Sequence, residues 1–154
     1  MYTLIPLVVT LFALSASAAP SLEARKNVGG APTGGPASAK VTIYSSYTCA
    51  APGTVPPTDG SAGTATTFTI AEGTCTIPTA GLIFGGALTA SLTAVPKTGT
   101  VGCYVLGHSQ QGCGITLTNN LYGWPFSGTA LGNSVGCGNA PSGTSWGAFE
   151  VLCV

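Results

Sequence analysis

The sequence predicts a small all-β domain stapled by disulfides, in the form of a β-sandwich. Three observations carry this. Gly and Pro number 23 and 11 among 154 residues, and only 5% of the chain is charged, so the straight polar side chains that favour helices are scarce. Short runs of alternating apolar and polar residues recur, with turn sequences between them. Six cysteines lie behind an apolar leader, and an even count in a small exported chain reads as three disulfides.

The leader comes first. Leu4 to Leu14 is apolar and uncharged, and too short for a bilayer span of about 20 residues. Ala16-Ser17-Ala18 follows as a small-residue cleavage pattern, so residues 1–18 read as a signal peptide. Residues 19–39 read as a pro-segment and flexible lead-in. Arg25-Lys26 gives it a basic processing site, and NVGGAPTGGPASA has almost nothing to bury. A single β domain is expected from 40 to 154.

Within that domain, Val41 to Tyr44, Thr66 to Ile70, Leu88 to Thr93 and Gly114 to Thr118 alternate on a period of two. From Trp146 to the C-terminus, Phe149, Val151 and Cys153 share a face. Leu121 to Phe126 places Tyr122, Trp124 and Phe126 on alternate positions, and Pro125 is expected to break that strand. Pro56-Pro57-Thr58-Asp59-Gly60 and Pro96-Lys97-Thr98-Gly99 are turn sequences.

Composition excludes several function classes. From Lys40 onward two lysines face three carboxylates, which is no footprint for nucleic acid or for anionic lipid. There is no C-x-x-C pair and a single histidine, His108, so neither a metal nor another cofactor is expected. After the leader no stretch is long and apolar enough for a membrane anchor.

Catalysis finds few candidates. Asp59 sits in a turn sequence, Glu72 at a strand end, and Glu150 alternates with Phe149 and Val151 and so points to solvent. They offer no positioned carboxyl pair. His108 lies in Gly107-His108-Ser109-Gln110-Gln111-Gly112, which reads as an exposed hairpin tip, suited to sensing acid pH better than to a triad. No G-x-S-x-G elbow exists. Tyr122, Trp124 and Phe126 form a candidate binding platform for a glycan, lipid or protein, against the alternative of core and edge packing.

The domain also divides into two similar halves. In each, an aromatic-bearing strand leads to a first cysteine (Cys49, Cys113), a second follows at nearly equal spacing (Cys75, Cys137), and a further strand closes the unit. This layout resembles the paired Greek keys of the βγ-crystallin type, including its killer-toxin-like members. The start VTIYSSYTC resembles small secreted cysteine-rich proteins of filamentous fungi. The resemblance implies two Greek-key motifs and a non-catalytic role as an extracellular binding protein, an effector or an antimicrobial toxin-like protein acting on an extracellular protein or glycan. The alternative is a structural or surface protein of the fungal cell wall or spore. The pattern departs at calcium: Asn119-Asn120-Leu121-Tyr122-Gly123-Trp124 lacks the hydroxyls and any carboxylate of the crystallin site. If the halves are duplicates, equivalent cysteines make equivalent bridges. The expected map is Cys49–Cys75, Cys113–Cys137 and Cys103–Cys153, its rival Cys103–Cys113 with Cys137–Cys153.

Overall fold

The computed structural model describes residues 35–51, 54–141 and 143–154. The expected signal peptide, and the lead-in up to residue 34, lie outside the described residues. Nine strands follow in order: β1 (Ser38–Tyr44), β2 (Ala65–Ala71), β3 (Ile83–Phe84), β4 (Ala87–Ala94), β5 (Cys103–His108), β6 (Leu121–Phe126), β7 (Gly138–Asn139), β8 (Ser145–Trp146) and β9 (Ala148–Cys153). The described residues contain no helix, as the composition requires. The domain starts earlier than expected. Ala37 and Ala39 are fully buried and β1 begins at Ser38, so residues 37–39 belong to the fold rather than to the lead-in.

Two antiparallel sheets enclose one core. The first runs β2-β1-β4-β7, the second β6-β5-β9, and β3 pairs with β8. Val41, Ile43, Ile70, Leu88 and Leu92 of the first sheet share a buried cluster with Val105, Phe126, Phe149 and Val151 of the second. That places the inner faces of a sandwich against each other. Each such side chain, fully buried, stabilises by about 1.5–3 kcal/mol. Trp146 sits at the centre, edge-on to Tyr122 and Trp124 at 5.4 and 5.3 Å.

The two halves repeat one plan. In each, the first strand is central (β1, β5), the next lies on one flank (β2, β6) and the last on the other (β4, β9). Equivalent hydrogen bonds follow. Ser45 N donates to Thr64 O and Ser109 N to Asn120 O, both at 3.0 Å; Gly86 N donates to Tyr44 O at 3.1 Å and Gly147 N to His108 O at 2.8 Å. The segment after the second strand crosses to the other half. Thr76 and Phe149 of β9 exchange both backbone bonds at 2.8 Å. On the opposite side Leu92 of β4 donates to Asn133 O at 2.8 Å and accepts from Gly132 N at 3.0 Å.

This crossing corrects the disulfide map. The bridges are Cys49–Cys137, Cys75–Cys113 and Cys103–Cys153. Cys103–Cys153 is as expected and joins directly paired residues of β5 and β9. The expected Cys49–Cys75 and Cys113–Cys137 do not form, and neither does the rival map. Cys49 and Cys113 are equivalent, each five residues beyond its central strand. Each pairs with the second cysteine of the other half, because the crossing segment carries that cysteine over.

Two strand expectations also change. Gly114 to Thr118 is a loop, tied by Asn119, whose Nδ2 donates to Gly112 O and Gly114 O at 3.0 and 2.8 Å. Pro125 does not break β6, because β6 is an edge strand, where a missing N–H costs no ladder bond.

Candidate functional site

The loops beside β5 and β6 build a cleft of about 900 Å³. One wall is Ser109, Gln110 and Gln111, which leave the end of β5. Another is Asn120 and Tyr122, which open β6, and the third is Pro141, Gly143, Thr144 and Ser145 ahead of β9, with Leu82 at the rim. The walls are fixed by local bonds. Asn120 N donates to Ser109 Oγ at 2.8 Å, Gln110 N to Asn119 Oδ1 at 2.9 Å, and Ser145 Oγ to Ser109 O at 3.4 Å. A turn closed by Thr144 N on Pro141 O at 3.1 Å holds the third wall.

Among the described residues, the lining contains no ionisable group apart from the phenol of Tyr122. It presents amides, hydroxyls and one aromatic ring. Among the described residues, the side-chain amides of Gln111 and Asn120 and the Tyr122 hydroxyl have no hydrogen-bond partner within the chain. They are free to bond a ligand. The Tyr122 ring is itself positioned by a T-shaped contact with buried Trp146.

The aromatic platform read from the sequence is only partly realised. Tyr122, Trp124 and Phe126 do share one face of β6, but that face turns to the core. Phe126 is buried within it. Trp124 is half-buried, packs on Trp146 and donates Nε1–H to Asn139 O at 3.3 Å. Tyr122 alone of the three lines the cleft. The polar members, Gln110, Gln111, Asn120, Thr144 and Ser145, carry no motif; only their lack of charge marked them, and that holds for the whole chain.

The ionisable residues lie elsewhere. Asp59 is exposed, and its carboxylate accepts from the Ser61 hydroxyl at 2.5 Å and the Ser61 N–H at 2.9 Å. These bonds, the hydroxyl first, hold its pKa below 3.8. Glu72 is not simply solvated, since it accepts the Ala37 N–H at 2.9 Å. No family model, curated protein or solved structure matches the chain.

His108 is the largest departure from expectation. It is buried, with 1% of its side chain exposed, instead of standing at a hairpin tip. Alternation along β5 puts it on the outer face with Tyr104 and Leu106. The 109–120 loop reaches the His108 end of that face, with Cys113 close to the ring, while Tyr104 stays exposed. His108 Nε2 lies 3.1 Å from Glu150 Oε1, so Glu150 is partly buried and engaged, where alternation had left it free in solvent.

Proposed function

We propose that the protein is a secreted, non-catalytic binding protein of the effector or antimicrobial toxin-like class, and that its ligand is a neutral glycan. The observation that carries this is the amide- and hydroxyl-lined cleft, free among the described residues of Asp, Glu, Lys, Arg and His, with the Tyr122 ring in its lining. A sugar has apolar C–H faces and many hydroxyls. A ring from one aromatic residue and unpaired amides answer both, whereas a charged ligand would find no counter-charge there. The three disulfides fit the oxidising surroundings of an extracellular protein. The non-catalytic part of the reading draws support from Asp59, Glu72, His108 and Glu150, none of which lines the cleft. The exchange of segments between two equivalent halves supports the likeness to the βγ-crystallin type. The order β4-β1-β2 fills three places of a Greek key, and the fourth segment is given to the other half.

The test is co-sedimentation with insoluble chitin, β-glucan and mannan, compared between wild type and Tyr122→Ala. Binding to at least one is expected, weakened at least about tenfold by the substitution, which corresponds to about 1.4 kcal/mol. Equal retention of both proteins, or none of wild type on any of the three, refutes the reading.

A further inference from the structure

We propose that the Cys75–Cys113 disulfide latches a zinc site, which forms when that bridge is reduced. Its donors are the Cys113 thiolate, a ring nitrogen of His108 and the Glu150 carboxylate, with Cys75 as the fourth. The first three already converge: one ligand atom from each lies within 4.8 Å of the others. A mixed sulfur, nitrogen and carboxylate set is one that zinc accepts. Zn–N and Zn–S bonds of about 2.0–2.3 Å require donors about 3.3–3.8 Å apart in a tetrahedron, so side chains need to close by about 1 Å.

The frame is largely prepared. His108 is opposite Ala148, two places from Glu150, on paired strands β5 and β9, so the two side chains share a face. Their contact at 3.1 Å is already made. In the oxidised chain the Cys113 sulfur is bonded to Cys75 and is no thiolate ligand. Buried His108 Nδ1 has no hydrogen-bond partner among the described residues, as expected of a ring held in a place that hydrogen bonding alone does not complete.

Access singles out this bridge. Cys75 is exposed, Cys113 and Cys153 are half-buried, and Cys49, Cys137 and Cys103 are buried, so only the Cys75–Cys113 bridge has an exposed sulfur residue. A dithiol reductant therefore meets Cys75 first. Its thiolate attacks the Cys75 sulfur, the S–S bond breaks and Cys113 leaves as a thiolate. The second thiol of the reagent then displaces Cys75 and closes the reagent to a cyclic disulfide. Two electrons pass to the protein, which gains two thiols. Zinc binding returns their protons to solvent.

The experiment is limited reduction of the full secreted chain by a dithiol, alkylation mapping of the opened bridge, and titration with Co²⁺ followed by Zn²⁺. Expected are first opening of Cys75–Cys113, a thiolate-to-cobalt absorption band with tetrahedral visible bands, and their loss on adding Zn²⁺. Glu150→Gln should weaken Co²⁺ binding at least about tenfold, no less than loss of a second-shell partner does. Cys75→Ser frees Cys113 without reductant and should bind Co²⁺ through the three remaining donors with water in the fourth place, more weakly than the reduced wild type. Prior opening of another bridge, a reduced chain without the thiolate band, or unchanged affinity in Glu150→Gln overturns the proposal. If Cys75→Ser is not secreted, the wild-type and Glu150→Gln titrations decide.

Discussion

Two glycines show how closely single residues fix this fold. Gly86 and Gly147 occupy equivalent places just before β4 and β9, and each gives its N–H to the last residue of its central strand. A Cβ on Gly86 would press on the Tyr47 carbonyl, and one on Gly147 on the backbone of Gln110 and Gln111. Backbone cannot yield as a side-chain end can. Gly86→Ala and Gly147→Ala should each cost about 1–3 kcal/mol in urea unfolding, while Gly114→Ala, in open space, should stay within about 0.5 kcal/mol. Equal effects at the three sites would remove the close approach from the account. The Asp59 carboxylate offers a second check. Its folded pKa is depressed by Ser61, so its contribution is present above the unfolded value and lost as pH falls through the folded one. An NMR titration should place it below 3.8, and Ser61→Ala should move it upward. Little of this was legible in the sequence. Alternation put Glu150 on an outer face correctly, but it carries no record of the 109–120 loop that meets it there, and for the same reason His108 read as an exposed hairpin tip although it is buried. The Asp59 turn was legible, because its bonds are local.

Strands were legible where alternation ran with turn residues on both sides, as at Val41 to Tyr44, Thr66 to Ile70 and Leu88 to Thr93. The Gly114 to Thr118 run alternates equally well, yet Ile115 and Leu117 stand 84% and 103% exposed in a loop. What decided the outcome was the Asn119 side chain, which bonds three backbone groups of that loop and replaces a partner strand. The equivalence of Cys49 with Cys113 and of Cys75 with Cys137 was likewise legible, and the pairing was not. A crossing segment is a tertiary event, and the within-half and between-half maps have the same symmetry. Peptide mapping without reduction should yield Cys49 linked to Cys137 and Cys75 linked to Cys113. The crossing also ranks the bridges. Chain separations of 88 and 38 residues imply about 4.6 and 3.9 kcal/mol of unfolded-state restriction. Replacing Cys49 and Cys137 by serine should therefore destabilise more than replacing Cys75 and Cys113, read as the difference in urea midpoints at equal slope. The reverse order would locate the main stabilisation in native contacts.

At the scale of the whole molecule, a nearly symmetric scaffold carries an asymmetric site. Ser109, Gln110 and Asn120 in the cleft correspond to Ser45, Ser46 and Thr64 in the first half, and Tyr122 to Thr66. The second half therefore holds the longer amides and the ring. Among the described residues, no Asp, Glu, Lys, Arg or His lines its cleft, so affinity for a neutral glycan should change less than about twofold between low and high salt, since screening acts on charge. A steep salt dependence would point to a charged ligand elsewhere on the surface. All-β architecture and the stapling followed from composition and cysteine count, whereas the cleft did not, because it is assembled from three loops that meet only in the fold. The most direct test of the central claim is a backbone amide NMR titration with soluble chitin and β-glucan oligosaccharides. Saturable shifts are expected at Gln110, Gln111, Asn120, Tyr122, Thr144 and Ser145, with Ser45, Ser46, Thr64 and Thr66 unmoved. Shifts centred on the first half or on Ile115 and Leu117, or no shifts with either sugar, would contradict it.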